Sequence, residues 1–475
     1  MEDTDFSAAV LAQLPLADSV WRLMHFMMAD AWLDDLWDRT RGRCQERVLR
    51  FGTLAHLVAE ALLQHGGSGR QAFERGQEKG RLPVSLGSAF EKLGNLPVPL
   101  SEAFLEEGTR RLKETLPDDP VEPLADCWAE FDVFASDGKA VKHVKRLLKP
   151  LRNLQAGILG ARASVVLNLR TGLAVAMSGH LDGEAGEGAL TEDLLPKIAA
   201  AAGDRPWVVV LDRLYCNLTF PPKVLKAGGH FVIRYDAHTS FHVDETRPAH
   251  EFRDDQKRRV VEEWGWLGQA KDPRRLFVRR TTLYSAGGNQ IVSVITDLLD
   301  EQKYPAVEVL ALYKSRWGIE KVFHQITDVF SLNKLIGTTP QATLFQLSFC
   351  LLLYNALQVV RAHLASHQKC VPEKISNEKL FYDVKRQLVA SNELVEVEDL
   401  PGMLGEVPMA SELRAHLQDC LKDTWSKRWW KAGSSHGGGH QKVKKRVLGN
   451  HTSTYRVLED RREQDKRTPT LTPRP

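Results

Sequence analysis

Trp207-Val-Val-Val-Leu-Asp212-Arg-Leu-Tyr215 is an apolar run of strand length that stops on an acid. An unbroken β-branched run of this kind reads as a strand covered on both faces, the usual state of a central strand in an α/β sheet. The neighbouring segments fit such a sheet. Upstream, Glu130 to Ser136 alternates as a short strand, and Ser164 to Leu169 and Leu173 to Ser178 flank Arg170-Thr171-Gly172, a hairpin signal. Thr191 to Ala202 has helical periodicity. Downstream, Pro221 to Ala227 reads as a short helix and His230 to Arg234 as another strand. The predicted order is three strands, a helix, a strand, a helix and a strand.

That order is similar to a ribonuclease-H-like core. The predicted fold class is therefore α/β: a ribonuclease-H-like catalytic core interrupted by a β-rich insertion, with helical N-terminal and C-terminal regions. Residues 1–125 form the helical N-terminal region, expected to bind DNA, with strong helical patterns at Phe6 to Asp38 and Phe51 to Gln64. The first part of the core is 126–235. The insertion is 236–303, with β-rich stretches at Leu276 to Val278 and Gln290 to Thr296. Residues 304–365 carry the last core helices and 366–432 a helical C-terminal region. Residues 433–475, opening on Gly433-Ser-Ser-His-Gly-Gly-Gly-His440, read as a basic flexible tail.

Composition narrows the class. A chain of 475 residues with 43% hydrophobic content can build several packed domains. The net charge of +3 does not by itself announce nucleic acid. The six cysteines stand singly, with no Cys-x2-Cys or Cys/His cluster, which argues against zinc sites and a disulfide framework. The N-terminus is acidic and lacks a signal-peptide pattern. The most apolar run, Leu344 to Val360, is short and interrupted by Gln346, Asn355 and Gln358, so it reads as a buried helix and not a membrane span. A cytoplasmic, nucleoid-associated protein with no membrane partner is expected.

Three acids stand out. Asp212 ends the Trp207 strand, although an Asp there also suits a simple turn cap. Asp137, in Phe131-Asp-Val-Phe-Ala-Ser-Asp137-Gly138, shares a strand face with Phe131, Val133 and Ala135; a plain Asp-Gly turn is the alternative. Asp132 points to the opposite face, and Asp182 lies in a Gly-rich loop with no strand to hold it. Glu320 belongs to Tyr313-Lys-Ser-Arg-Trp-Gly-Ile-Glu-Lys-Val-Phe-His-Gln-Ile-Thr327. On one helix, Tyr313, Arg316 and Glu320 share a face. An i, i+4 Arg–Glu pair on an amphipathic helix would give the same pattern.

Residues 313–327 resemble the Tyr-x2-Arg-x3-Glu-x6-Lys signature of DDE transposases of the insertion-sequence-four type. Tyr313, Arg316 and Glu320 match, and Thr327 stands where the signature has Lys. Asp-Arg-x-Tyr at 212–215 and Asp-Gly at 137–138 resemble that family's other two acidic positions, and the family also carries an insertion before its Glu. The resemblance implies that Asp137, Asp212 and Glu320 hold two Mg²⁺ ions, with Mn²⁺ as a substitute, and that Tyr313 and Arg316 position the phosphate. It implies transposition of an insertion sequence: cleavage at the element's ends, then strand transfer of a 3′-hydroxyl into target DNA. The implied partners are terminal-repeat and target DNA, and a second copy of the chain in a synaptic homodimer.

Basic residues supply the rest of the expected DNA surface. Lys139, Lys142, Lys145 and Arg146 follow Asp137, and no acid occurs between 139 and 152. Such a run suits phosphate contacts, or a solvated face. Lys334 would lie near the Glu320 stripe if that helix continued, and could replace the missing Lys. Trp264 and Trp266 suit stacking of unpaired bases, as the resemblance implies from hairpin-forming relatives in which an insertion-domain Trp holds a flipped base, or the core of a small β domain. Arg39, Arg41, Arg43, Arg47 and Arg50 cluster near the first helices. Two rival readings remain: a catalytically silent DNA-binding protein derived from a transposase, and a nuclease without strand transfer.

Overall fold

The computed structural model describes residues 9–44, 48–121, 123–142, 148–152, 154, 157–328, 330, 332, 334–395, 400–431 and 451–467. Helices come first: α1 Pro15–Met27, α2 Asp30–Thr40, α3 Phe51–Leu63, α4 Gly69–Glu78, α5 Leu86–Gly94 and α6 Val98–Lys113. Then come strands β1 Asp132–Lys142, β2 Gly157–Asn168 and β3 Ala174–His180, helix α7 Glu187–Ala202, β4 Trp207–Leu211, α8 Phe220–Lys226 and β5 His230–Arg234. The first three strands are antiparallel to one another in the order β3-β2-β1, and β4 and β5 run parallel to β1 beyond it. The result is a mixed α/β fold with one large sheet.

The all-apolar Trp207 run has a direct explanation. Val208 and Val210 enter the core beneath the later helices, and Val209 and Leu211 enter the core beneath α7 and α8. With a layer on each face, no position in β4 meets water, so alternation disappears.

The 236–303 segment is built into the same sheet as the core. Its strands β6 Phe241–Val243, β7 His250–Arg253, β8 Arg259–Leu267, β9 Leu276–Tyr284 and β10 Gln290–Thr296 extend the same sheet, because β10 pairs antiparallel with β5. Helices α9 Ala306–Ser315, α10 Trp317–Asp328 and α11 Pro340–His367 follow, then α12 Asn377–Leu394, α13 Leu400–Leu404 and α14 Ala410–Leu421.

The flexible-tail reading is corrected for residues 451–467. His451–Ser453 adds a strand, β11, parallel to the start of β2, and α15 spans Thr454–Arg467. Arg456 of that helix pairs with Asp182 and Glu184, and the Ser453 hydroxyl accepts from the Gly183 amide at 3.0 Å. The remainder of the 433–475 segment lies outside the described residues.

Helix α11 is buried along nearly its whole length between the N-terminal helices and the sheet. Among the described residues it is the one helix long and apolar enough to cross a membrane, and its apolar window is wholly inside the protein. All six cysteines are free thiols. Asn355, fully buried on α11, acts as a strand substitute for β3. Its Oδ1 accepts from the Ala174 amide, and its Nδ2 donates to the Ala174 carbonyl and to Thr109 Oγ1, each at 2.8 Å. Asn355→Leu keeps the volume but strands the buried Ala174 amide, at about 1–3 kcal/mol, while the Ala174 carbonyl keeps the Thr109 hydroxyl, which donates to it at 3.1 Å. Denaturant unfolding is expected to show a loss of roughly 2 kcal/mol, and an unchanged midpoint would refute this role.

Candidate active site

β1 and β4 place two acids side by side. Their parallel register pairs Asp132 with Trp207 and Ala135 with Val210, an offset of 75 residues. Asp137 and Asp212 are separated by the same 75 positions, so each continues that register at the carboxyl end of β4. Asp137 is not at a strand end as expected. β1 runs on to Lys142, and Asp137 sits opposite Val165 of β2. Pairing with β2 keeps the residues after it in the strand. Asp212 caps the turn after β4, its Oδ1 accepting from the Leu214 amide at 2.8 Å. The rival acids are committed elsewhere: Asp132 is buried beside Asn168, and Asp182 pairs with Arg456.

The Tyr313–Thr327 stretch is not one continuous helix. It breaks at Arg316, the cap between α9 and α10. Arg316 is 6% exposed and joins two of the acids. Its Nη1 lies 3.7 Å from Asp137 Oδ2, and its Nη2 donates to Glu320 Oε1 at 3.1 Å. Its Nε is buried without a partner, a donor poised for a further acceptor. Tyr313 is buried, with its ring 5.9 Å from the guanidinium, so it backs Arg316 and does not reach outward. Glu320 lies in the first turn of α10, where the helix dipole favours a carboxylate, and its side chain is 43% exposed.

The basic residues divide. Lys139 shares the strand face of Asp137 and donates to Thr327 Oγ1 at 3.4 Å, with its ammonium 5.6 Å from the Phe323 ring. A cation from β1 therefore stands beside the position where the Lys of the signature is missing. Lys142 is exposed at the end of β1. Lys145 and Arg146, like Arg47, lie outside the described residues. Lys334 is corrected: α10 ends at Asp328, and the Lys334 ammonium lies near Gly66, after α3. Arg39 is tied to Asp35 and Glu107.

The two insertion tryptophans also divide. Trp264 is 0% exposed, donates its ring N–H to the Leu299 carbonyl at 3.1 Å, and is covered by Arg247 at 3.8 Å. It is a core residue as placed, with no free face for a base. Trp266 is half-buried, against Arg275 and Phe277. The sequence reading passed over Trp317, which is 55% exposed directly after Arg316 and lines a cleft with Glu320, Lys321, His324 and Lys431. Its exposure depends on the break at Arg316, which the sequence pattern did not show.

A fourth acid, Glu187, was also missed. It opens α7, where the Gly-rich run before it gave no helical signal. Burial, and next the Glu187 charge, push the Asp137 carboxyl up to about 6, against the pull of Arg316 and the Gly138 amide; Asp212 adds to the rise. The folded value lies above the ordinary 3.8, so Asp137 favours folding below that pH, and the contribution is lost as pH rises through about 6. Asp137→Asn is therefore expected to stabilise the metal-free protein at pH 8, by about 2 kcal/mol, and to do little at pH 4. Thermal unfolding in EDTA checks this, and equal effects at both pH values would contradict it.

The donor set is carboxylate oxygen alone, which suits hard cations such as Mg²⁺ or Mn²⁺. Arg316 holds Asp137 and Glu320 apart, so the three acids do not close on one point as placed. Among the described residues, the one trio with donor atoms within 4.8 Å of one another is Asp18, His416 and Cys420, and there Asp18 is already held by Arg22 at 3.0 Å. Glu320 is exposed enough to swing toward Asp137 and Asp212, at the cost of its ion pair with the buried Arg316, which exceeds the about 0–1 kcal/mol of a solvent-exposed pair.

Known proteins resemble parts of this chain. The y4zB protein of Sinorhizobium fredii, whose name assigns it provisionally as a transposase, is 28% identical over 157 residues, 32% of this chain. The match spans 41% of that relative's length. The cryo-EM structure of a piggyBac transposase synaptic complex with hairpin DNA aligns over 90% of this chain and 88% of that chain, at 10% identity and a TM-score of 0.34, too low to identify a shared fold. Residues 128–356 match the family described as the transposase DDE domain, a span that takes in Asp137, Asp212 and Glu320.

Proposed function

We propose that this chain is a DDE transposase of the insertion-sequence-four type that cuts DNA at the ends of its element and joins the freed 3′-hydroxyl to target DNA. The observation that carries the reading is the register of the adjacent parallel strands β1 and β4, which Asp137 and Asp212 continue beyond its last pair, with Arg316 linking Asp137 to Glu320. The strand order β3-β2-β1-β4-β5 supports a ribonuclease-H-like core.

Two divalent cations held by Asp137, Asp212 and Glu320 would activate the attacking oxygen and stabilise the leaving one. The chain's own residues do the rest. Arg316, with Nε free of a partner, takes a non-bridging phosphate oxygen. Lys139 and the exposed Lys142, at the end of β1, supply positive charge for the DNA backbone, and Lys145 and Arg146 follow them in the sequence. Trp317 offers a face to an unpaired base. Water serves as nucleophile for cleavage and a DNA 3′-hydroxyl for joining, so no covalent enzyme intermediate is needed. Two ends must be held together, so a homodimer is the working assembly.

The silent-protein reading has one observation in its favour, the guanidinium standing between Asp137 and Glu320. An assay separates the readings: purified protein, Mg²⁺, and labelled DNA carrying the sequences that flank its own gene. Cleavage and joined product support the transposase. Binding without cleavage supports the silent protein, and cleavage without joining supports a nuclease.

A further inference from the structure

Glu187 reaches the candidate site from the far face of the sheet. Its Oε2 accepts from Arg162 Nη2 of β2 at 2.8 Å, and its Oε1 accepts from the Tyr215 hydroxyl at 3.2 Å. Burial holds the Tyr215 phenol far above its ordinary value, with the Glu187 charge adding to the effect, so this hydroxyl keeps its proton and donates. Tyr215 in turn lies 2.5 Å from Thr191 Oγ1, which reaches Ser164 Oγ at 3.3 Å. The carboxylate is thus fixed from two sides.

Gly138 explains how it comes so close. This residue follows Asp137 on β1 and faces α7, and a Cβ there would overlap the Glu187 carboxylate. The missing side chain leaves room on the α7 face of the strand, and the Glu187 carboxylate fills it one residue from Asp137. A helix-capping acid would need no such room, nor a buried tyrosine and an arginine to hold it. On the near face, Arg316 Nη1 lies 3.7 Å from Asp137 Oδ2, and the Asp137 carboxyl feels the Glu187 charge as well.

We propose that Glu187 serves the cation site as a fourth acid: its charge, let close to β1 by the absence of a side chain at Gly138, strengthens the hold of Asp137 and Asp212 on a divalent cation. The inference rests on the metal reading above. Glu187 is a positioning residue here, acting through Asp137 and the local field. Loss of its charge acts twice, removing an attraction and leaving the Arg162 guanidinium uncompensated beside the site.

The test is a calorimetric titration of the full-length protein with Mn²⁺, without DNA. Glu187→Gln keeps the shape and an acceptor for Tyr215, and is expected to weaken Mn²⁺ binding at least tenfold. Gly138→Ala keeps the acid but displaces it, and is expected to weaken binding in the same direction. Asp137→Asn is the control for the site itself and is expected to abolish binding. If Asp137→Asn abolishes binding while both other variants bind as wild type does, Glu187 is a structural brace and the inference is overturned. If Asp137→Asn also binds normally, the metal reading fails and the inference with it.

Discussion

Asp212→Asn is expected to lower metal-dependent strand cleavage by a factor of about 10³ or more, with the fold intact. Loss of a cation ligand removes several kcal/mol of charge stabilisation from the transition state, and each ~1.4 kcal/mol is a factor of ten in rate. The fold survives because the substitution is isosteric. The asparagine side chain retains a carbonyl oxygen to accept from the Leu214 amide, so the turn after β4 keeps its cap. DNA binding persists, since Asp212 contributes no positive charge. The readout is cleavage of labelled end DNA beside a mobility-shift titration and thermal unfolding. Cleavage within tenfold of wild type would remove Asp212 from the site.

Arg316→Ala is the second large effect, and it reaches further. Arg316 is buried, bridges Asp137 and Glu320, and keeps a spare donor. Its loss is expected to lower cleavage by roughly 10² to 10³, as removal of one preorganised donor to a developing charge does. Arg316→Lys is not expected to rescue, because one ammonium cannot span two carboxylates and hold a phosphate as a planar fork does. The pH profile should move as well. Arg316 pulls the Asp137 carboxyl down against burial and Glu187. Without it Asp137 titrates higher, so the acid limb of metal binding shifts to higher pH. An unshifted limb would mean that Arg316 and Asp137 are not coupled.

The sequence carried the central strands well and the site unevenly. β4, β5 and β10 were legible because apolar or β-branched runs mark strands whatever their neighbours. Asp212 was legible for the same reason, as the acid where such a run stops. Asp137 was found, but with the wrong setting: Asp137-Gly138 reads as a strand end, yet pairing with β2 carries the strand on through Lys139 to Lys142. The break at Arg316 left no mark, since Tyr313, Arg316 and Glu320 keep helical spacing across it. Glu187 was hidden because its role depends on a gap at Gly138, forty-nine positions earlier in the chain. Trp264 and Trp266 have the same local pattern, and only tertiary cover distinguishes them. The β-rich character of the insertion was legible but not its partners, since sequence gives strands without their neighbours, and the pairing of β10 with β5 joins it to the sheet. The tail misled by its Gly-rich opening, while its later residues 451–467 return to the edge of β2.

The most direct test of the cation site is Fe²⁺-directed backbone cleavage: the full-length protein is exposed to Fe²⁺ and ascorbate, and the fragments are mapped. Cuts clustered around residues 137, 212 and 320, and suppressed by excess Mg²⁺, are the predicted result. Cuts confined to other segments, such as Asp18 and His416, or cuts that Mg²⁺ leaves unchanged, would contradict the assignment of these three carboxylates to one divalent-cation site.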